Sequence, residues 1–223
     1  INALTGHTDC VHSAAFNHDG SLLAAGDGSG TIKLWNVGEN KLIQDLSGHT
    51  GAVHSVAFNH VGTLLASGST DATIKLWNVD ADNDSYKFIQ DLSGHTDAVQ
   101  SVAFNHVGSL LASGSTDDTI KLWNVDADND SYNFIQDLSG HTDAVCSVTF
   151  NHIKSFLASG SDDNSIKLWT VNGDGADNLI QTLTGHTDTV RSVAFNHDGT
   201  LLASASLDNT VKLWTAVGDS IDG

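Results

Sequence analysis

The sequence predicts an all-β fold, a five-bladed β-propeller of four-stranded antiparallel blades, and three observations predict it. First, one pattern is written five times. A Gly-His pair (Gly6-His7, Gly48-His49, Gly94-His95, Gly140-His141, Gly185-His186) is followed by a Leu-Trp pair ending at Trp35, Trp77, Trp123, Trp169 or Trp214. Successive glycines lie 42, 46, 46 and 45 residues apart, and a period of about 40–45 residues with these landmarks marks one four-stranded sheet per repeat. Second, each copy alternates short apolar runs with turn residues. Third, the two ends are in phase. Ile1-Asn2-Ala3-Leu4 aligns with Ile180-Gln181-Thr182-Leu183, and the last copy stops soon after Trp214, where its own fourth strand is expected.

The second copy serves for all. Val53 to Phe58 reads as a strand, Asn59-His60-Val61-Gly62 as a turn and Leu64 to Ser69 as a second strand. Thr70-Asp71-Ala72 is a tight turn, Ile74 to Val79 a third strand, Asp80 to Ser85 an acidic loop and Phe88 to Leu92 a fourth strand. Strands of this length between turn residues make an antiparallel meander. Apolar residues fall on both parities of the inner strands, as expected when each sheet is stacked between two others. If residues 1–4 complete the last blade, a ring closes within one chain and leaves no strand edge exposed. The expected state is a monomeric ring, with strand exchange between chains as the alternative.

The 223 residues suffice for one well-buried domain spanning 1–223, and the repeat leaves no room for a second. The net charge is −18, and five of the nine basic residues (Lys33, Lys75, Lys121, Lys167, Lys212) occupy one repeated position. No basic stripe exists to release counterions, so nucleic acid and anionic membranes are excluded as partners. The acidity favours solubility and basic partners or cations. Cys10 and Cys146 are too few for a disulfide framework, and no run approaches a membrane span. No signal peptide is visible in a chain that begins at Ile1; the compartment is left open, with the cytoplasm favoured.

His49, Ser67 and Asp71 have the composition of a catalytic triad. The same set recurs as His95, Ser113, Asp117; as His141, Ser159, Asp163; and as His186, Ser204, Asp208. Four active sites in one small ring argue against catalysis and for a structural role. In the first copy Ala25 replaces the Ser and Ser29 the Asp, so His7 and Trp35 are expected to lack two partners and blade one to be the least rigid. The loops Asp80-Ala81-Asp82-Asn83-Asp84 and Asp126-Ala127-Asp128-Asn129-Asp130 carry alternating Asp as a calcium loop does. They lack its glycine and flanking helices, so a solvated acidic loop is the simpler reading and a divalent-cation site the other. Zinc at His12, His54 and Cys146 has the right ligand types but no evident geometry, so no metal or cofactor is expected.

Variation between copies is the best functional signal. In the first strand, Val (11, 53, 99, 145, 190) and Ser (13, 55, 101, 147, 192) never change, yet the residue between them is His12, His54, Gln100, Cys146 or Arg191. The residue before the Val also varies (Cys10, Ala52, Ala98, Ala144, Thr189). So does the one before the turn acid or its replacement (Gly28, Thr70, Thr116, Asp162, Leu207).

The five G-H…S-x-S-x-D…L-W matches resemble the WD-repeat family of β-propellers over essentially the whole chain. The Trp-Asp that names that family is Trp-Asn or Trp-Thr here, His replaces the Pro usual in the first hairpin turn, and five copies stand where seven are usual. The resemblance implies that His, Ser, Asp and Trp (Trp77, Trp123, Trp169, Trp214 in the complete copies) form a buried hydrogen-bonded network. It also implies that the varied positions crowd a channel mouth on the top face, where partners dock. The expected function is therefore a non-catalytic protein–protein interaction module or scaffold; the alternative is a small-ligand or carbohydrate-binding propeller. The alternative needs identical exposed polar and aromatic groups in every copy, and the two tyrosines, Tyr86 and Tyr132, occur in only two. An enzyme would need a unique acid, base or nucleophile, for which only Cys146 and Arg191 offer themselves.

Overall fold

A computed structural model describes residues 3–80, 85–126, 131–172, 178–217 and 220–222. The chain is all-β and divides into two compact units, Ile1–Val102 and Ala103–Gly223. In the first unit, β1 (Val11–Phe16), β2 (Leu22–Asp27), β3 (Thr31–Asn36) and β4 (Lys41–Ser47) pair in chain order as one sheet. The next sheet is β5 (Val53–Phe58), β6 (Leu64–Ser69), β7 (Thr73–Asp80) and β8 (Ser85–Ser93). Strand β9 (Val99–Phe104) begins in this unit and ends in the second.

The second unit contains β10 (Leu110–Ser115), β11 (Ile120–Asp126) and β12 (Ser131–Leu138), paired in order. There follow β13 (Val145–Phe150), β14 (Phe156–Ser161), β15 (Ile166–Thr170) and β16 (Leu179–Leu183). The last sheet is β17 (Val190–Phe195), β18 (Leu201–Ser206), β19 (Val211–Val217) and β20 (Ser220–Asp222). All pairings are antiparallel, one sheet per repeat, consistent with five propeller blades.

The local chemistry explains the repeat. With no Pro in the first hairpin turn, an Asn takes over: Asn59 Oδ1 accepts the backbone N–H groups of Gly62 at 2.9 Å and Leu64 at 3.0 Å. Asn17, Asn105 and Asn196 accept from Leu22, Leu110 and Leu201 in the same way, a side chain mimicking a turn. In the fourth strand one residue bulges opposite the Leu-Trp pair (Ile43, Ile135 and Ile180 in the first, third and fourth copies). The extra residue lets both neighbours keep their pairing while the isoleucine packs against a core.

Sheets stack through complementary faces. In the first unit Leu22, Ala24, Ile32 and Leu34 of the first sheet meet Val53, Val56, Leu65 and Trp77 of the second. In the second unit Ala158, Ile166 and Leu168 meet Val190, Val193, Leu202 and Trp214 in the equivalent way. Each buried aliphatic side chain of this kind stabilises by about 1.5–3 kcal/mol.

Closure by the N-terminal strand is not shown. Ala3 and Leu4 lie in no strand, and the edge of β19 is taken by β20, with Thr215 opposite Asp222, Ala216 opposite Ile221 and Val217 opposite Ser220. The last blade therefore has its own fourth strand. A partner a few residues along the chain costs far less closure entropy than one some two hundred residues away. The acidic loops are also shorter than the sequence suggests, because Asp80 pairs with Ser85 and Asp126 with Ser131. The aspartates at 82, 84, 128 and 130 lie outside the described residues, and among the described residues no cluster of three or more potential metal ligands occurs.

Candidate functional site

Two sets of residues need placing: the repeated His, Ser, Asp and Trp, and the positions that vary. In the second copy the first set forms one chain of hydrogen bonds. Asp71 Oδ2 lies 2.8 Å from His49 Nδ1, His49 Nε2 lies 2.8 Å from Ser67 Oγ, and Trp77 Nε1 donates to Ser67 Oγ at 2.9 Å. The fourth copy repeats it with Asp163, His141, Ser159 and Trp169 at 2.7, 2.7 and 2.9 Å. The fifth does so with Asp208, His186, Ser204 and Trp214 at 2.7, 2.8 and 2.9 Å. In the third, Trp123 donates to Ser113 at 3.0 Å, Asp117 accepts from Thr119, and His95 is buried in the first unit.

Burial decides what this chain of bonds can do. It pulls the pKa of His49 and His141 down, outweighing the aspartates that would raise it, so both imidazoles are neutral. With Nδ1–H donated to the aspartate, Nε2 accepts from the serine hydroxyl, which in turn accepts from the indole. Every polar atom is used. Burial alone would raise the carboxyls of Asp71 and Asp163, but hydrogen bonds hold both at about 2; Thr73 and the Thr50 backbone act on Asp71, and Ser165 and His141 on Asp163. Ser67, Ser113 and Ser159 are 0 % exposed, so no substrate reaches them. The set ties the loop carrying the Gly-His pair to the second and third strands of its own blade.

The first copy solves the same problem differently. Asp27 stands where the other copies have serine (Ser69, Ser161), and its Oδ2 lies 2.6 Å from His7 Nδ1. Its Oδ1 accepts from the Ser29 hydroxyl at 2.6 Å and from the backbone of Ser29 and Thr31. His7 thus lacks one partner rather than two: it keeps an acid, but Ala25 offers no hydroxyl and His7 Nε2 is buried without a hydrogen bond. A second repeated contact escapes sequence reading. Lys33, Lys75 and Lys121 are buried along their stems and end on Asp45 at 2.7 Å and on Asp91 and Asp137 at 2.5 Å. The alternation of Lys with an Asp 12 to 16 residues later was the available signal.

The varied residue of the first strand has a particular backbone setting. The ladder of the first and second strands shifts register between Val11 and Ser13, Val53 and Ser55, Val145 and Ser147, and Val190 and Ser192. His12, His54, Cys146 and Arg191 are therefore the extra residues of four equivalent β-bulges. A bulge frees its residue from the ladder and re-aims its side chain.

In the first unit the His12 and His54 rings lie 5.2 Å apart, and burial followed by the nearby His12 pulls the His54 pKa down. In the second unit Cys146 Sγ donates to Asp162 Oδ1 at 3.0 Å, and Arg191 reaches Cys146 Sγ at 3.3 Å and Asp162 at 3.5 Å. Burial, then Asp162, pushes the Cys146 thiol up to about 12, so it is no nucleophile. Arg191 remains 54 % exposed in its side chain. Gln100 is half-buried. Of the flanking candidates, Cys10 and Leu207 are exposed and Ala52 half-buried, whereas Ala98, Ala144 and Thr189 are buried. The carbonyls of Cys10, Ala52, Ala144 and Thr189 accept from the backbone N–H of Gly28, Thr70, Asp162 and Leu207, so these positions pin the turn.

Repeated sheets with this His-Ser-Asp-Trp set define a propeller-type repeat protein. The family model for the WD domain, G-beta repeat, matches residues 1–36, 40–78, 86–124, 132–170 and 177–215, and the chain belongs to the WD40 family. Repeats of this family build protein-interaction propellers. Apoptotic protease-activating factor 1 of Rattus norvegicus is 46% identical over 43 residues, 19% of this chain and 3% of that protein. The Homo sapiens protein of the same name is 44% identical over 43 residues, with the same shares. The similarity spans a single repeat's length of much longer proteins.

Proposed function

We propose that this chain is a non-catalytic interaction module that binds a protein or peptide through the bulged residues of its first strands. The observation that supports this is the coincidence of variation with bulging. The Val and Ser on either side hold the sheets together and cannot vary, while the residue the bulge releases differs from copy to copy. The half-exposed Arg191 is the anchor. Its guanidinium uses only part of its five donors on Asp162 and Cys146, and a partner carboxylate can take two more in parallel. On the first unit, His12 and His54 at the equivalent bulges and the exposed Cys10 offer polar groups of their own. A net charge of −18 disfavours acidic surfaces in general, so a carboxylate bound here is one placed beside a basic or neutral stretch.

The test begins with a partner isolated from native extract on the immobilised chain and identified, followed by calorimetric titration of the purified pair. The double variant Arg191→Ala with His54→Ala should bind at least tenfold more weakly while melting within a degree or two of the parent. The control pair His60→Ala with His106→Ala, in the first hairpin turns, should bind as the parent does. The opposite result places the working surface at those turns and overturns the proposal.

A further inference from the structure

The first hairpin turn of the fourth copy departs from the others, and a cavity opens beside it. In the other four copies a glycine (Gly20, Gly62, Gly108, Gly199) takes a φ between 67° and 83°, a conformation that suits a residue without a Cβ. The glycine turn can then settle on the turn asparagine of the preceding sheet. In the first unit Gly62 lies against Asn17. In the second, Asn151 Nδ2 donates to the Gly199 carbonyl at 2.9 Å, and a side chain at Gly199 would collide with the Asn151 carboxamide. Asn17 and Asn151, covered in this way, are buried.

The fourth copy carries Lys154 at the glycine position. Lys154 keeps a negative φ, and the turn takes another path. Ile153 and Lys154 both donate their backbone N–H to Asn151 Oδ1, at 2.9 and 3.0 Å, and Phe156 donates to the Lys154 carbonyl at 2.8 Å. Between this turn and that of the third copy lies a cavity of about 230 Å³, all of it within the second unit. Asn105, on its far wall, is only half-buried. Phe150 forms an apolar floor, and Val107 and Ile153 stand beside it at 75 % and 70 % exposure. The polar wall carries the His106 and His152 rings, 6.1 Å apart, and Lys154, whose ammonium lies 5.7 Å from the centre of the Phe156 ring.

We infer that this cavity binds a small organic acid, a carboxylate carried on an apolar body. The volume is below the roughly 300–1,000 Å³ of pockets for drug-sized ligands, so the occupant is small. Its charge follows from Lys154, a cation outside the repeated lysine position in a chain of net charge −18. An ammonium offers three donors and no acceptor, so it can share a carboxylate with the contacts it already makes, and the Asn105 carboxamide and the imidazole N–H groups add neutral donors. An anion without an apolar part would leave Val107 and Ile153 in water. An apolar molecule without charge would strip water from the ammonium and give nothing back. Both parts are needed. The site shares no residue with the bulges, so it is separate from the partner surface proposed above.

Titration of the full chain followed by amide NMR tests this, with phenylacetate and 4-methylpentanoate as the acids. Both should shift the amides of His106, Ile153 and Lys154 saturably, with the millimolar half-saturation expected of so small a ligand. Acetate, which lacks the apolar body, and phenylacetamide, which lacks the charge, should bind more weakly by about fivefold or more. Lys154→Gly restores the residue of the other four copies. Its turn should close over Asn105, and saturable binding should vanish while circular dichroism stays native. Lys154→Gln keeps a long side chain at the rim without the charge, so it should bind phenylacetate no better than the parent binds phenylacetamide. The inference is overturned if neither acid saturates these amides, if phenylacetamide matches phenylacetate, or if Lys154→Gly binds as the parent does. Arg191→Ala with His54→Ala should leave this titration unchanged, so acid binding and partner binding fail separately.

Discussion

The first two blades share a strand plan and a core, but they satisfy one buried histidine in different ways. In blade two the order acid, imidazole, hydroxyl, indole runs unbroken from Asp71 through His49 and Ser67 to Trp77. In blade one the acid has moved two residues upstream to Asp27, the hydroxyl is gone, and the chain of bonds ends at His7 Nε2. The comparison teaches that the acid is the indispensable member. A buried imidazole needs its Nδ1–H fixed so that the Gly-His loop stays docked, and a carboxylate at either position does this. The hydroxyl serves the other nitrogen and the indole, and blade one folds without it at the cost of one orphaned acceptor.

The largest effect that can break this comparison is removal of the indole. Trp77→Ala deletes a side chain 2 % exposed and leaves Ser67 with one partner fewer. The cavity alone costs about 3–5 kcal/mol, and the unpaired polar group adds about 1–3 kcal/mol. Trp35 is equally buried at 3 % but makes no side-chain hydrogen bond among the described residues, so Trp35→Ala should cost the cavity term alone. Chemical denaturation of both variants checks this. Equal losses would show that the hydroxyl bond contributes nothing in blade two.

These differences were unevenly legible in the sequence. The first two strands of the second copy follow from periodicity and turn residues to the residue, because each boundary is set by local chemistry, Asn59 at one turn and Asp71 at the next, whereas the fourth strand starts three residues before the expected Phe88. The substitution of Ala25 for Ser was equally plain. Asp27 as the substitute acid was not, because motif alignment fixes attention on the position of Ser29 rather than on which carboxylate can reach the ring. The fourth strand of the last blade was missed for a different reason. Ser220–Asp222 carries no apolar alternation to announce it, and its pairing is fixed by nearness to β19 along the chain. The bulges that release His12, His54, Cys146 and Arg191 leave no mark in hydrophobic patterning, although the variability of those positions does betray them.

A middle-sized effect tests whether Asp27 truly stands in for Asp71. Burial would raise both carboxyls, yet hydrogen bonds from Ser29 and His7 lower the first, and those from Thr73, the Thr50 backbone and His49 hold the second at about 2. Asp27→Ala and Asp71→Ala should therefore each destabilise by about 1–3 kcal/mol, and a silent Asp27→Ala would remove the equivalence. The pH profile follows with a definite sign. A carboxyl with a folded pKa near 2 and an unfolded value of about 3.9 contributes stability that is present above the unfolded value and is lost as pH falls toward 2. His49, lowered by burial, adds a loss that starts earlier, below its unfolded value of about 6.5, where the unfolded chain takes up the proton first. Stability should thus fall in two stages on acidification, and His49→Gln should shrink the first stage, leaving the share of His141, and weaken the second by removing one of the bonds that hold Asp71 low. A profile with no change between pH 7 and 5 in the parent would contradict a neutral buried His49.

The smallest effect is also the most direct, because it repairs the difference. Ala25 is buried at the position of Ser67, and the backbone register of the two hairpins is the same, so Ala25→Ser adds an oxygen where blade two already accommodates one. The new hydroxyl meets two waiting groups: it donates to His7 Nε2, now buried without a partner, and accepts from the Trp35 indole. Burying a hydroxyl costs free energy unless it is bonded, and here His7 Nε2 is already desolvated without a partner, so the balance favours the variant by about 1 kcal/mol. In a chain of this size that raises the melting temperature by about 2–4 °C. The Trp35 indole proton should also shift downfield in the NMR spectrum toward the position of those of Trp77 and Trp169, which already donate to serine at 2.9 Å. A variant that melts at or below the parent, with an unmoved indole signal, would mean that blade one has repacked around its missing hydroxyl. Asp27 would then be part of a distinct solution and not of an incomplete copy.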